Sequence, residues 1–284
     1  MSQEIEREPQ REKIFNLPGV IVALVAVLLA IHALRDLLLT PETDAQLFRT
    51  FAYVAGRMTF SFDPDAVAGA LTTLSTDSES SQLAIAQYLL GDGSLQWWTP
   101  VTYAFLHADW MHVGLNCLWL AVFGAPVALR FGPVRFLALF LWGSILGAFA
   151  HHLLHPTQFM PLVGASAGVS AAMAAACRFI FQPGGPLGGG SIVGYSPKLA
   201  MQVPAIGLMD SLRDRRVLQF IGVWFVINLA VGLFSGPLGV TSSAIAWEAH
   251  IGGFIAGFLC FGWFDPPHHN GQDTTGGYEL PPAA

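Results

Sequence analysis

Long stretches of this chain carry no Asp, Glu, Lys or Arg, among them Asn16 to Leu34, Met111 to Leu129 and Phe136 to Leu162. A helix rises about 1.5 Å per residue, so roughly 20 such residues match the hydrocarbon thickness of a bilayer. The chain is 53% hydrophobic and 11% charged, whereas soluble domains carry roughly 25% charged residues. Its apolar residues are bunched into runs rather than spread at helical spacing. These features predict an all-α, multi-pass membrane protein and exclude an ordinary soluble domain.

The pattern predicts six spanning helices, at about 17–39, 101–129, 134–156, 164–181, 217–235 and 244–264. In domain terms, this is a tail over 1–16, a membrane domain over 17–264 and a tail over 265–284 that is expected to be disordered. An insert occupies 41–99 and a loop 182–216; the loop's Pro183-Gly184-Gly185-Pro186 and Gly188-Gly189-Gly190 predict an unstructured first half. The net charge of −6 comes mostly from the tails and the insert, and no basic patch suits nucleic acid. Cys117, Cys177 and Cys260 fall in apolar runs without paired spacing and read as packing residues. The first run is long and lacks a small-x-small exit, unlike a cleavable signal peptide. Glu4, Glu6, Glu8 and Glu12 argue against an organellar transit peptide, so a bacterial plasma membrane is the expected location.

Basic residues predict the orientation. With both termini cytoplasmic, Arg7, Arg11, Lys13, Arg130, Arg135, Arg178, Lys198, Arg213, Arg215 and Arg216 lie inside. Only Arg35, Arg49 and Arg57 then fall outside, around or within the insert. Helices two, four and six all run inward from the outer face. Ser166 in the first turn of helix four, His250 about two turns into helix six, and His112 and Asn116 two to four turns into helix two then share one depth.

Polar side chains in hydrocarbon are costly and mark functional candidates. A serine hydroxyl is a weak nucleophile unless a base takes its proton, and His250 is the histidine available in the spans after it. A helix N-terminus offers unpaired N–H groups to a developing oxyanion. His112 and Asn116, one turn apart, add side-chain donors from a common face. Gly164 and Gly168 begin a small-residue ridge continued by Ala172 and Ala176, and Gly253 and Gly257 form a G-x-x-x-G pair beside His250. Such ridges allow the close approach of helices that short side chains need.

Three motifs together resemble the rhomboid intramembrane serine proteases: His107-x4-His112-x3-Asn116, Gly164-Ala165-Ser166, and Ala249-His250-x2-Gly253-x3-Gly257. The resemblance covers about 97–264. It implies a six-helix fold and a dyad of Ser166 and His250, with His112 and Asn116 in the oxyanion site and no metal or cofactor. It further implies single-span membrane proteins as substrates, cut near the outer face, with a small side chain at the cleaved position. Three departures stand out: Ala167 replaces a usual glycine, Ser170 replaces an aromatic that packs on the histidine in many members, and no acid lies near Ala128.

Blander readings exist for each residue. Ser166 in isolation reads as a packing serine, Ser170 is a competing nucleophile, and His250 alone suits a structural or proton-relay role. Glu248, two positions from His250, points to another face and is expected near the outer loop. Asp109 reads as solvated or capping. His151, His152 and His155 lack an H-E-x-x-H pattern or an acid at ligand spacing, so structural roles are expected, and His268-His269 reads as solvated. A client-binding relative without catalysis, or a transporter, is the alternative from another class. Entry of substrate between helices two and five would involve Phe220, Trp224 and Phe225.

Overall fold

Pro18 and Gly19 open the first helix, α1 (Gly19–Leu38), in a computed structural model that describes residues 17–76, 80–189, 197–234 and 246–267. Ile21, Leu24, Leu28, His32 and Arg35 form its buried stripe, while Val22 and Val27 on other faces stay exposed. Apolar residues on both the buried and the open face are what a helix bordered by lipid requires. The fold is all-helical: among the described residues the only β contact is an isolated antiparallel bridge between Tyr53 and Leu162.

The 41–99 segment folds as α2 (Pro41–Phe51), α3 (Ala55–Phe60), α4 (Pro64–Thr76) and α5 (Ser80–Leu90). Thr40 caps α2 by accepting from the Thr43 N–H, with Pro41 at the first helical position. Val54, Val67, Ala86 and Leu89 pack with Phe159 into a separate small core. Arg57 is buried there and donates to the carbonyls of Arg49, Ala52 and Leu89; burial lowers its pKa to about 10. At the end of α1, buried Arg35 pairs with Asp44 at 2.7 Å and donates to the His107 carbonyl at 2.7 Å. One guanidinium thus ties α1, the insert and the approach to helix two.

Helix two starts later than hydropathy predicts. A short α6 (Thr99–Thr102) and a 3₁₀ turn over Tyr103–Phe105 come first. The chain then breaks until Asp109, whose carboxylate accepts from the His112 N–H at 2.7 Å and caps α7 (Trp110–Trp119). A π turn, Leu120–Gly124, carries the helix into α8 (Ala125–Phe131). After Gly132 come α9 (Pro133–Leu154) and α10 (Ser166–Cys177). The 182–189 stretch forms hydrogen-bonded turns, with Gly184 N–H to Gly189 O at 3.0 Å and Leu187 N–H to Ile180 O at 2.8 Å, not an unstructured segment. Then follow α11 (Pro197–Ala200), α12 (Leu208–Ser211), α13 (Arg215–Phe234) and α14 (Trp247–Phe264).

Among the described residues, three helices are long and apolar enough to cross a membrane: Gly19–Leu38, Trp110–Phe131 and Pro133–Leu154. α10 is apolar but has only 12 residues, α13 begins on Arg215-Arg216, and α14 carries Glu248 and His250. The predicted count of six spans is therefore not reached by length and hydropathy alone.

α9, α10 and α14 form the centre. α14 lies parallel to α10, Gly253 against Ala167 and Gly257 against Ala171. α9 runs antiparallel to both, with Gly147 meeting Ala167 and Ala249, and Gly143 meeting Ala171. At the far end, buried Arg130 pairs with Asp265 at 2.7 Å and donates to the carbonyls of Met201 and Val203, each at 2.7 Å. Asp265 is thus part of the folded unit and not the start of a loose tail; residues 1–16 and 268–284, including His268-His269, lie outside the described residues. Removing one partner of a buried pair leaves an uncompensated charge, a loss of about 3–5 kcal/mol. Arg130→Ala is accordingly expected to lower the melting temperature in detergent markedly, whereas Arg213→Ala, in an exposed pair, is expected to leave it unchanged.

Candidate active site

Ser166 is the first residue of α10 and the one residue of that helix that is not buried; Ala167 through Cys177 are all enclosed. Its N–H belongs to the first turn, where no intrahelical acceptor exists. Ser170, one turn on, is buried.

The loop before Ser166 is held from two sides. Gly164 donates its N–H to Tyr103 O at 3.0 Å, and Ala165 donates to His107 Nε2 at 3.3 Å. Gly164 has φ +119°, a conformation that favours glycine, and a Cβ there would lie 2.6 Å from His112 Nε2 and 3.7 Å from Ser166 Oγ. Gly164 therefore makes room for the His112 ring beside the serine. His112 Nδ1 accepts a long bond from Ala108 N–H at 3.5 Å, which favours the tautomer with its proton on Nε2, the nitrogen beside Gly164. Asn116, buried one turn on, donates from Nδ2 to His112 O at 3.0 Å. With helix two beginning at Trp110, His112 is in its first turn and Asn116 in its second, closer to the helix start than expected.

His250 is likewise nearer its helix start than predicted, in the first turn of α14. The depth of α14 is set by Gly253: a Cβ there would meet Ala167 O at 2.1 Å, so the helix backbones touch. His250 lies one turn before Gly253 and Ser166 one residue before Ala167, so both stand at the same end of this contact. Among the described residues no hydrogen bond joins Ser166 to His250. The imidazole instead has Nδ1 2.6 Å from Asn228 Oδ1. Asn228 Nδ2 donates to Trp224 O at 2.9 Å, which orients the amide with its oxygen toward the ring. Nδ1 then carries the proton and Nε2 keeps the lone pair of a base.

Sequence reasoning missed Asn228. The signal was an amide in the apolar run of helix five, a costly group that needs a partner. It holds the imidazole where Ser170 supplies no aromatic. Gly168 faces Phe140 of α9, where a Cβ would lie 2.5 Å from the ring, and not α14; the ridge that meets α14 is Ala167 and Ala171. Glu248 is turned away from His250, as expected, but it is buried against His151. On α13, Trp224 stacks on Phe254 at 4.3 Å, Phe220 contacts Phe123 of the π turn at 5.6 Å, and Phe225 is exposed.

A model of the rhomboid domain matches residues 94–266. Rhomboid protease GlpG of Serratia proteamaculans (strain 568) is 27% identical over 180 residues, 63% of this chain and 52% of that protein. Rhomboid-related protein 3 of Homo sapiens is 34% identical over 80 residues, 28% of this chain and 19% of that protein. The chain thus spans about half the length of the first relative and about a fifth of the second. With its apolar helices and a domain match over more than half its length, this chain is a membrane protein that belongs to the rhomboid family.

Proposed function

We propose that the protein is an intramembrane serine endopeptidase with Ser166 as nucleophile and His250 as base. The observation that carries this reading is the backbone contact of Gly253 on Ala167, which sets the two side chains at one end of a shared helix interface. Ser166 Oγ attacks the scissile carbonyl carbon while His250 Nε2 takes its proton. The resulting oxyanion accepts from the Ser166 N–H, His112 Nε2–H and the Asn116 amide, which leaves its own helix carbonyl to do so. Collapse breaks the C–N bond as the imidazolium returns the proton to the leaving amine. Water, deprotonated by the same imidazole, then hydrolyses the acyl-enzyme. Catalytic hydrogen bonds are often open before substrate binds, consistent with the unjoined dyad.

The proposal includes six spans over 17–264, both termini cytoplasmic, and a bacterial plasma membrane as location. Substrates are single-span membrane proteins whose helix must unwind near the outer face, favouring Gly, Pro or small residues there. Entry is lateral, between helices two and five, past Phe123, Phe220 and Phe225. The test is cleavage of a fluorescent single-span substrate by purified protein, and its loss in Ser166→Ala.

Asn228 acts as a positioning residue. Asn228→Ala is expected to lower kcat by about 100-fold, in the range of general-base effects, with KM and melting temperature nearly unchanged. Asn228→Asp keeps an acceptor for the imidazole but sets its second oxygen against Trp224 O, so it is expected to retain more of the rate than Asn228→Ala at a lower melting temperature. Equal loss in both variants would contradict this role.

A further inference from the structure

Away from the serine, α9 and α14 bring together two imidazoles and a carboxylate that the chemistry above does not use. His151 and His155 lie one turn apart at the end of α9, on one face, with ring centroids 5.3 Å apart. Glu248, 97 positions further along from His151, sets Oε1 2.7 Å from His151 Nδ1. The same oxygen is 3.4 Å from His155 Nε2. One donor atom from each residue lies within 4.8 Å of the other two. The His151 and Glu248 side chains are each 5% exposed and that of His155 is 42% exposed. A carboxylate buried this deeply needs a cation or a full set of donors.

We propose that His151, His155 and Glu248 form a binding site for a divalent late first-row transition metal, with zinc as the ion to test. Two imidazole nitrogens and one carboxylate oxygen make a zinc donor set with an open fourth position. Tetrahedral bonds of about 2.0–2.1 Å put ligand atoms about 3.4 Å apart. The His155–Glu248 separation already has that value, and the His151–Glu248 contact reaches it by opening about 0.7 Å. The partly exposed ring of His155 gives the ion a way in, and none of the three cysteines belongs to the cluster. A metal here clamps the end of α9 to the start of α14, two residues before His250. The site does not depend on the protease reading, because none of its ligands is Ser166, His250, His112 or Asn116.

The test uses the full chain in detergent carrying His268→Ala and His269→Ala, so that tail histidines do not contribute. Zinc is titrated against a chromogenic chelator, and cobalt(II) replaces it for absorption spectra. The expected result is one equivalent bound, a higher melting temperature with zinc, and a cobalt spectrum with tetrahedral d–d bands and no thiolate charge-transfer band. Glu248→Gln and His155→Ala are each expected to weaken binding by at least about 10- to 100-fold, the loss typical even of partners outside the ligand shell. His155→Ala removes a partly exposed ring, and melting of the metal-free variants reports on their folding. Absent binding in the parent protein, or binding equally tight in both variants, overturns the proposal. Substrate cleavage enters none of these readouts, so the failure of one reading leaves the other intact.

Discussion

Ser166→Ala and His250→Ala are each expected to reduce cleavage of a single-span substrate by about 10⁴-fold or more while leaving the melting temperature close to that of the parent. The expectation of an intact fold follows from the packing. Ser166 is the accessible residue of an otherwise buried helix, and no side-chain hydrogen bond of its own ties it to the scaffold among the described residues. Among the described residues, His250 makes one side-chain hydrogen bond, to Asn228. The double variant is expected to be no slower than either single one, because a nucleophile without its base and a base without its nucleophile disable the same step. Additive losses would argue that the two residues act separately.

The second large effect is expected at Gly253. A Cβ at this position meets the Ala167 carbonyl oxygen at 2.1 Å and its carbonyl carbon at 2.7 Å. Both are backbone atoms with no rotamer to move, so α14 must lift away from α10. Overpacking of this kind is destabilising by about 1–3 kcal/mol. The catalytic effect is larger, since a shift of about 1 Å between reacting groups lowers rates about 100-fold. Gly253→Leu is therefore expected to lose at least about 100-fold in activity together with a lower melting temperature. Gly262→Ala on the same helix is the control: nothing lies near its Cβ position, and rate and stability are expected to hold. Assays with purified protein and thermal melts in detergent read both.

Much of the helical architecture was legible because lipid imposes it. Apolar runs announced α1, helix two and α9, and glycines beside His250 announced the tight interface with α10. Hydropathy was blind to what capping decides. It started helix two at 101, whereas the Asp109 carboxylate on the His112 N–H starts it at Trp110. It also gave no sign that the glycines of 182–189 form bonded turns, or that Asp265 belongs to a buried pair with Arg130. In the candidate site, Ser166, His250, His112 and Asn116 are legible from motif order, whereas Gly164, expected to pack helices, makes room for His112 instead. Asn228 and the pairing of Glu248 with His151 depend on helices distant in sequence, and no local pattern encodes such contacts. The departure at Ser170 left the imidazole without a visible partner, and its partner comes from α13.

The pairing of Ser166 with His250 is tested most directly by covalent labelling of the purified protein in detergent with a fluorophosphonate, the modified residue being mapped by mass spectrometry. A single adduct is expected on Ser166, strongly reduced in His250→Ala, reduced to a lesser degree in Asn228→Ala, and absent in Ser166→Ala. An adduct on Ser170, or labelling of Ser166 that is indifferent to the loss of His250, would contradict the pairing.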